Sequence, residues 1–119
     1  MPSPATEPVR VLLVSGPDRE TLVRIGRALV EERLAACVNV LPGLTSVYRW
    51  EDEVQVEAEC LALIKTTREA ADRTCRRLQE LHPYELAECV ALEVVSGSPS
   101  YLEWVADCVG EREDHGVET

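Results

Sequence analysis

The sequence predicts one α+β domain, a layer of helices on an antiparallel β-sheet. Three observations predict it. Strand-type and helix-type periodicities follow in the order strand, helix, strand, strand, helix, strand, with one further helix at the end. The middle two strands are long and separated only by a short acidic turn, the mark of a hairpin and not of a crossover. A chain of 119 residues buries roughly two thirds of its unfolded surface in one core and cannot supply two.

Val9 to Val14 is apolar apart from Arg10 and ends at Ser15-Gly16-Pro17-Asp18, so it reads as the first strand. From Asp18, Leu22, Ile25 and Leu29 recur at three- and four-residue steps opposite Arg24, Arg27, Glu31 and Glu32, which makes an amphipathic helix. Ala36 to Leu41 and Leu44 to Trp50 are extended, and Pro42-Gly43 between them predicts a bulge in one kinked strand. After the turn Glu51-Asp52-Glu53, Val54, Val56, Ala58 and Cys60 alternate with Gln55, Glu57 and Glu59, the pattern of a half-buried strand. Thr66 with Glu69 predicts a capping box for a second helix, whose apolar face is Ala71, Cys75, Leu78 and Leu81. Pro83 stops it at His82. Cys89 to Val95 is the fourth strand, and Ser98-Pro99 opens a third helix that Gly110 ends.

This order is the split βαβ arrangement of a ferredoxin-like βαββαβ fold with an extra C-terminal helix. Residues 9–110 form the domain. Residues 1–8, with three prolines, are expected to be flexible, and residues 111–119 to be a disordered acidic tail. Ala36 to Leu41 and Leu61 to Ile64 are apolar on both sides, yet helices of one chain can cover only one face of the sheet. The second face therefore predicts a homo-oligomer.

With 22 acidic against 12 basic side chains and a net charge of -10, the chain has no basic footprint for nucleic acid. The longest stretch free of charge, Leu34 to Tyr48, is broken by Pro42-Gly43 and falls short of the roughly 20 apolar residues that span a bilayer. No membrane partner is expected, and the N-terminus, lacking a basic and apolar leader pattern, predicts a cytoplasmic location. The five cysteines are widely spaced with no Cys-x-x-Cys pair, and read as reduced packing residues. No P-loop, dinucleotide fingerprint or nucleophile elbow occurs, so no enzyme activity is expected.

His82 is the only histidine inside the predicted domain, because His115 lies in the tail. Beside Pro83 at a helix end, its ring can ligate a metal or bond a local carbonyl. Glu51, Asp52 and Glu53 lack the ligand spacing of a calcium loop and read as a solvated turn. Glu59 and Lys65 share one strand face with Leu61 and Leu63 between them, which predicts either the rim of a subunit contact or the floor of an inter-subunit cleft.

Taken together, Leu34-Ala35-Ala36-Cys37-Val38-Asn39, Pro42-Gly43, Thr45 to Trp50, Glu59, Lys65-Thr66, His82-Pro83-Tyr84-Glu85, Glu88 and Tyr101-Leu102-Glu103-Trp104 resemble the CutA family of divalent-cation-tolerance proteins. The resemblance covers about Val9 to Val109. It implies a homotrimer related in architecture to PII signal proteins, with lateral clefts between subunits, and a role in the response to metal ions, copper binding being attributed to some members. Those members are associated with a cysteine in the first strand and paired histidines before Pro-Tyr; here the positions hold Val14 and Leu81-His82. The resemblance thus points to His82 as the metal ligand for copper or another divalent cation, and to an inter-subunit cleft of Glu59, Lys65, His82, Tyr84 and Glu88. The alternative it leaves is a PII-like regulatory module taking a small polar or anionic ligand in that cleft.

Overall fold

The computed structural model describes residues 9–110. The expectations for residues 1–8 and for the tail with His115 lie outside the described residues. In chain order the elements are β1 (Val9–Gly16), α1 (Arg19–Glu31), β2 (Cys37–Trp50), β3 (Glu53–Thr67), α2 (Arg68–Leu81), β4 (Val90–Glu93) and α3 (Pro99–Cys108). The four strands make one antiparallel sheet in the order β2-β3-β1-β4. That is the predicted ferredoxin-like topology with its added helix.

Helix ends are set by local hydrogen bonds. The Asp18 carboxylate accepts from the Thr21 amide at 2.8 Å, which caps α1 and holds that carboxyl below its ordinary range. At the other end Arg33 takes a left-handed φ of 61°. Its amide bonds Val30 O and the Leu34 amide bonds Leu29 O, the paired closure of a Schellman motif without its usual glycine. The second cap corrects the sequence reading. Thr67, not Thr66, caps α2 by accepting from the Ala70 amide, because β3 stays paired with β1 as far as Val9 opposite Thr67. The Thr66 hydroxyl instead donates to the Leu34 carbonyl at 2.7 Å, and the Thr74 hydroxyl, 2.9 Å from that oxygen and 2.9 Å from the Ala70 carbonyl, shares its one proton between the two.

Helices α1 and α2 cover one sheet face, packing Leu22, Ile25, Leu29 and Leu78 on Leu12, Val14, Ala62 and Ile64. Helix α3 covers one end of the opposite face, where Leu102 and Val105 meet Val9 and Ala36. The remainder of that face has no cover within the chain: Val11, Leu13, Leu61 and Leu63 are half-buried, and Val90 and Leu92 are exposed. The hairpin β2–β3 also outruns the helices. Val54 and Val56, predicted to be half-buried, are 63% and 67% exposed, because they continue the face of Cys60, Ala62 and Ile64 beyond the point where α1 and α2 end.

Two backbone devices shape the hairpin. Leu41 pairs with Leu61 but Leu44 with Glu59, so two residues of β2 oppose one of β3 at the predicted Pro42-Gly43 bulge, and Gly43 takes φ 83°. The turn Glu51-Asp52 has φ 52° and 70° at its two residues, the two-residue loop that matches hairpin twist. The cysteine reading needs correction. Cys75 and Cys89 form a disulfide, their Cα atoms 6.2 Å apart, while Cys37, Cys60 and Cys108 are free. Their proximity comes from α2 packing beside the start of β4, which no sequence spacing reveals.

Two stability tests follow from these contacts. Thr66→Val and Thr74→Val singly leave the Leu34 carbonyl one donor and should each cost about 1 kcal/mol. Together they strand the carbonyl, so the double variant should lose more than the sum in denaturant unfolding at fixed protein concentration. Asp52→Gly relieves a left-handed side chain and should stabilise the hairpin by roughly 0.5–1 kcal/mol in the same measurement.

Candidate functional site

The bulge decides what the outer hairpin presents. Because Leu41 and Leu44 both oppose residues of the α3-side face, Ser46, Tyr48 and Trp50 fall on that face beyond the bulge, next to Glu59. Residues 83–88, leaving α2, pass the end of β1 and wall this region off. The result is a groove of about 770 Å³ lined by Ser15, Ser46, Tyr48, Trp50, Glu59, Tyr84, Glu85 and Glu88 among others.

The groove is built around a buried carboxylate. Glu59 is only 7% exposed and accepts from the Tyr84 hydroxyl at 2.6 Å. Burial first, then that hydrogen bond and the Glu59 charge, hold the Tyr84 hydroxyl well above its ordinary pKa. Tyr48 is raised as well, by desolvation and by the charges of Glu57 and Glu59. Across the groove, Ser15 donates to Glu88 at 2.9 Å.

His82 holds the wall. Its Nε2 lies 2.8 Å from the Ser15 carbonyl, and its Nδ1 accepts from the Tyr84 amide at 3.1 Å. A carbonyl can only accept, so Nε2 carries the proton and both ring nitrogens are engaged. The ring is buried and stacks at a tilt 4.7 Å from Tyr84. A metal at His82 would have to displace one of these two backbone partners, and among the described residues no three His, Cys, Asp or Glu side chains converge as a ligand set.

Four of the five predicted cleft residues, Glu59, His82, Tyr84 and Glu88, thus meet in one region. Lys65 does not join them. Six residues from Glu59 along β3, it lies roughly 20 Å away, opposite Cys37 and near α3. There its ammonium donates to Asn39 Oδ1 at 2.5 Å and approaches Cys37 Sγ at 3.7 Å. Tyr101 hydroxyl is 3.4 Å from the same sulfur, and that contact, then burial, pushes its pKa up to about 12. Shared strand face was legible; distance along the strand was overlooked. Ser15, Tyr48 and Trp50 are groove residues that sequence reasoning missed, and for the last two the signal was present in the Pro42-Gly43 bulge, which shifts the alternation.

Removing the Tyr84 hydroxyl leaves the Glu59 carboxylate desolvated with its donor gone. Tyr84→Phe should therefore destabilise the protein by about 1–3 kcal/mol, and adding Glu59→Gln should recover part of the loss, read as a double-mutant cycle in denaturant unfolding.

Residues 10–108 match the family model described as CutA1 divalent ion tolerance protein. The chain is 48% identical over 100 residues to the divalent-cation tolerance protein CutA of Thermus thermophilus, a match covering 84% of this chain and 97% of that one. It is 40% identical over 103 residues to the chloroplastic protein CutA of Arabidopsis thaliana, covering 87% of this chain but 57% of the plant protein. The chain thus spans nearly all of the bacterial relative and little more than half of the plant one. The crystal structure of CutA1 from Oryza sativa superposes with a TM-score of 0.85 at 38% identity, covering 91% of this chain and 99% of that one. The coextensive sequence match and shared topology establish that the chain belongs to the CutA family.

Proposed function

We propose that the protein works as a homotrimer in tolerance of divalent cations, binding them weakly at the acidic groove and catalysing no reaction. The observation that carries the cation part is the charge of the groove once Lys65 is placed elsewhere: Glu59, Glu85 and Glu88 line it against Arg49 as the basic residue. Carboxylates suit hard divalent cations, and copper(II) accepts oxygen donors as well. Glu85 and Glu88 are exposed at the rim, Glu88 accepting one hydrogen bond from Ser15, whereas Glu59 is buried and held by Tyr84. His82 enters as the residue that positions the wall. A small anionic ligand, the PII-like alternative, would meet three carboxylates there against the single Arg49.

The trimer is supported by the uncovered sheet face and by the apolar hairpin tip. Val47 opposes Val56 in the hairpin, and each is 67% exposed. A protomer ending this way leaves apolar surface and the β2 edge in water, and closed packing of copies removes both. Cytoplasmic residence is the accompanying expectation; the cysteines do not decide it, three being free and two joined, and the Arabidopsis relative is described as chloroplastic. No helix of the described residues is long and apolar enough to cross a membrane.

Light scattering on the purified chain should give three times the chain mass at micromolar concentration; a monomer would remove the trimer. Calorimetric titration with Mn²⁺ and Cu²⁺ should show binding that Glu85→Gln with Glu88→Gln weakens by about tenfold or more. Binding unchanged by that pair, or binding of phosphate in place of metal, would overturn the cation reading.

A further inference from the structure

The disulfide stands in an informative place. Cys75 is on α2 and Cys89 immediately follows Glu88, so the bond closes a loop that contains the whole groove wall, residues 83–88. Both cysteines are half-buried and pack against the core between the helices and the sheet. They lie on the helix-covered side, away from the open face proposed for subunit contact, and their partial exposure leaves the bond some access to a small reductant. Within the loop the wall is held by a few polar contacts: Gln79 Nε2 to the Ala87 carbonyl at 3.0 Å, Ser15 to Glu88, His82 to the Ser15 carbonyl, and Tyr84 to Glu59. Glu85 and Leu86 are exposed, and residues 82–89 form no regular element. Beyond the backbone bond from the His82 amide to the Leu78 carbonyl at its start, the disulfide is the covalent restraint among these side-chain contacts.

We infer that Cys75 and Cys89 form a reversible thiol–disulfide site whose oxidised state fixes the groove wall and whose reduced state loosens it. The inference rests on the groove reading for its effect on cations, but not for its effect on the wall. The reductant is a dithiol. Its thiolate attacks one sulfur of the bond, giving a mixed disulfide and releasing the other cysteine as a thiolate, which takes up a proton. The second thiol of the reductant then displaces the remaining cysteine. Two electrons pass from the dithiol, which ends as a disulfide, to the protein, which ends with two thiols. Reduction removes the loop closure around residues 76–88 and leaves β4 paired with β1. The change is therefore local. Glu88, next in the chain to Cys89, loses one of its anchors and keeps only the Ser15 hydrogen bond and the start of β4, so the wall that carries Glu85 and Glu88 gains freedom.

The test uses the full chain in buffers poised by reduced and oxidised dithiothreitol. Alkylation after denaturation should count the three free cysteines in the oxidised protein and two more in the reduced one. Hydrogen exchange of amides 82–88 should quicken by about tenfold or more on reduction while β1 and α1 keep their protection. Mn²⁺ affinity should fall several-fold in the same step. Cys75→Ser with Cys89→Ser should behave as the reduced protein in both buffers. Equal exchange over 82–88 in the two states, or thiols that never pair in the oxidising buffer, would overturn the site. Faster exchange with unchanged Mn²⁺ affinity would overturn its control of the groove. Absence of Mn²⁺ binding in both states would instead count against the cation reading, with exchange still deciding the fate of the latch.

Discussion

The two-for-one mismatch at Pro42-Gly43 is the constraint from which the rest of the site descends. Side chains of a strand alternate, so a single extra residue transfers all those that follow to the other surface. Without it, Tyr48 and Trp50 would share a face with Ala62 and Ile64, and Val47 would share the face of Glu59. With it, Leu41 and Leu44 lie on one face, the aromatic residues accompany Glu59, and the valines are turned outwards beyond the reach of α1 and α2. A local backbone irregularity thus separates a polar, aromatic side of the hairpin from an aliphatic one.

The second determinant is how a loop without regular structure is given a fixed shape. The chain must pass from the end of α2 to β4 around the end of β1, and unpaired backbone there would be costly to bury. His82 resolves this by acting in both directions, donating to the Ser15 carbonyl and accepting from the Tyr84 amide. Tyr84 is thereby aimed at Glu59. One imidazole, itself used up structurally, prepares the carboxylate beside it. The local chemistry of Pro83, which ends the helix, and of His82, which spans the corner, explains why these two residues stand together.

Much of the fold was legible because its signals are local. The periodicities of Leu22, Ile25 and Leu29, the bulge at Pro42-Gly43 and the stop at Pro83 each act within a few residues, and the elements appear within about two residues of where such signals place them, β4 being shorter, Val90–Glu93, than the expected Cys89 to Val95. The Thr66 cap was displaced by one position because pairing of Thr67 with Val9 extends β3, a tertiary preference that overrides the local motif. The site was legible in part for the same reason. Face-sharing along a strand brought Glu59 and Lys65 into one expectation, but their separation is set by rise per residue, and their partners by which loop arrives from elsewhere. The Cys75–Cys89 bond belongs wholly to that second category. Its two sulfurs are neighbours only after helix and sheet have packed.

At the end of the sheet remote from the groove, the Gly110 amide donates to the Arg33 carbonyl at 2.8 Å, and the Arg33 guanidinium returns a bond to the Gly110 carbonyl at 3.0 Å. This reciprocal clasp fastens the exit of α3 to the exit of α1. Whatever follows Gly110 in the chain therefore departs from a fixed point on the far side of the molecule. The two helix exits thus share one clasp at the end of the sheet away from Glu59, so a change at this end can be read separately from one in the groove.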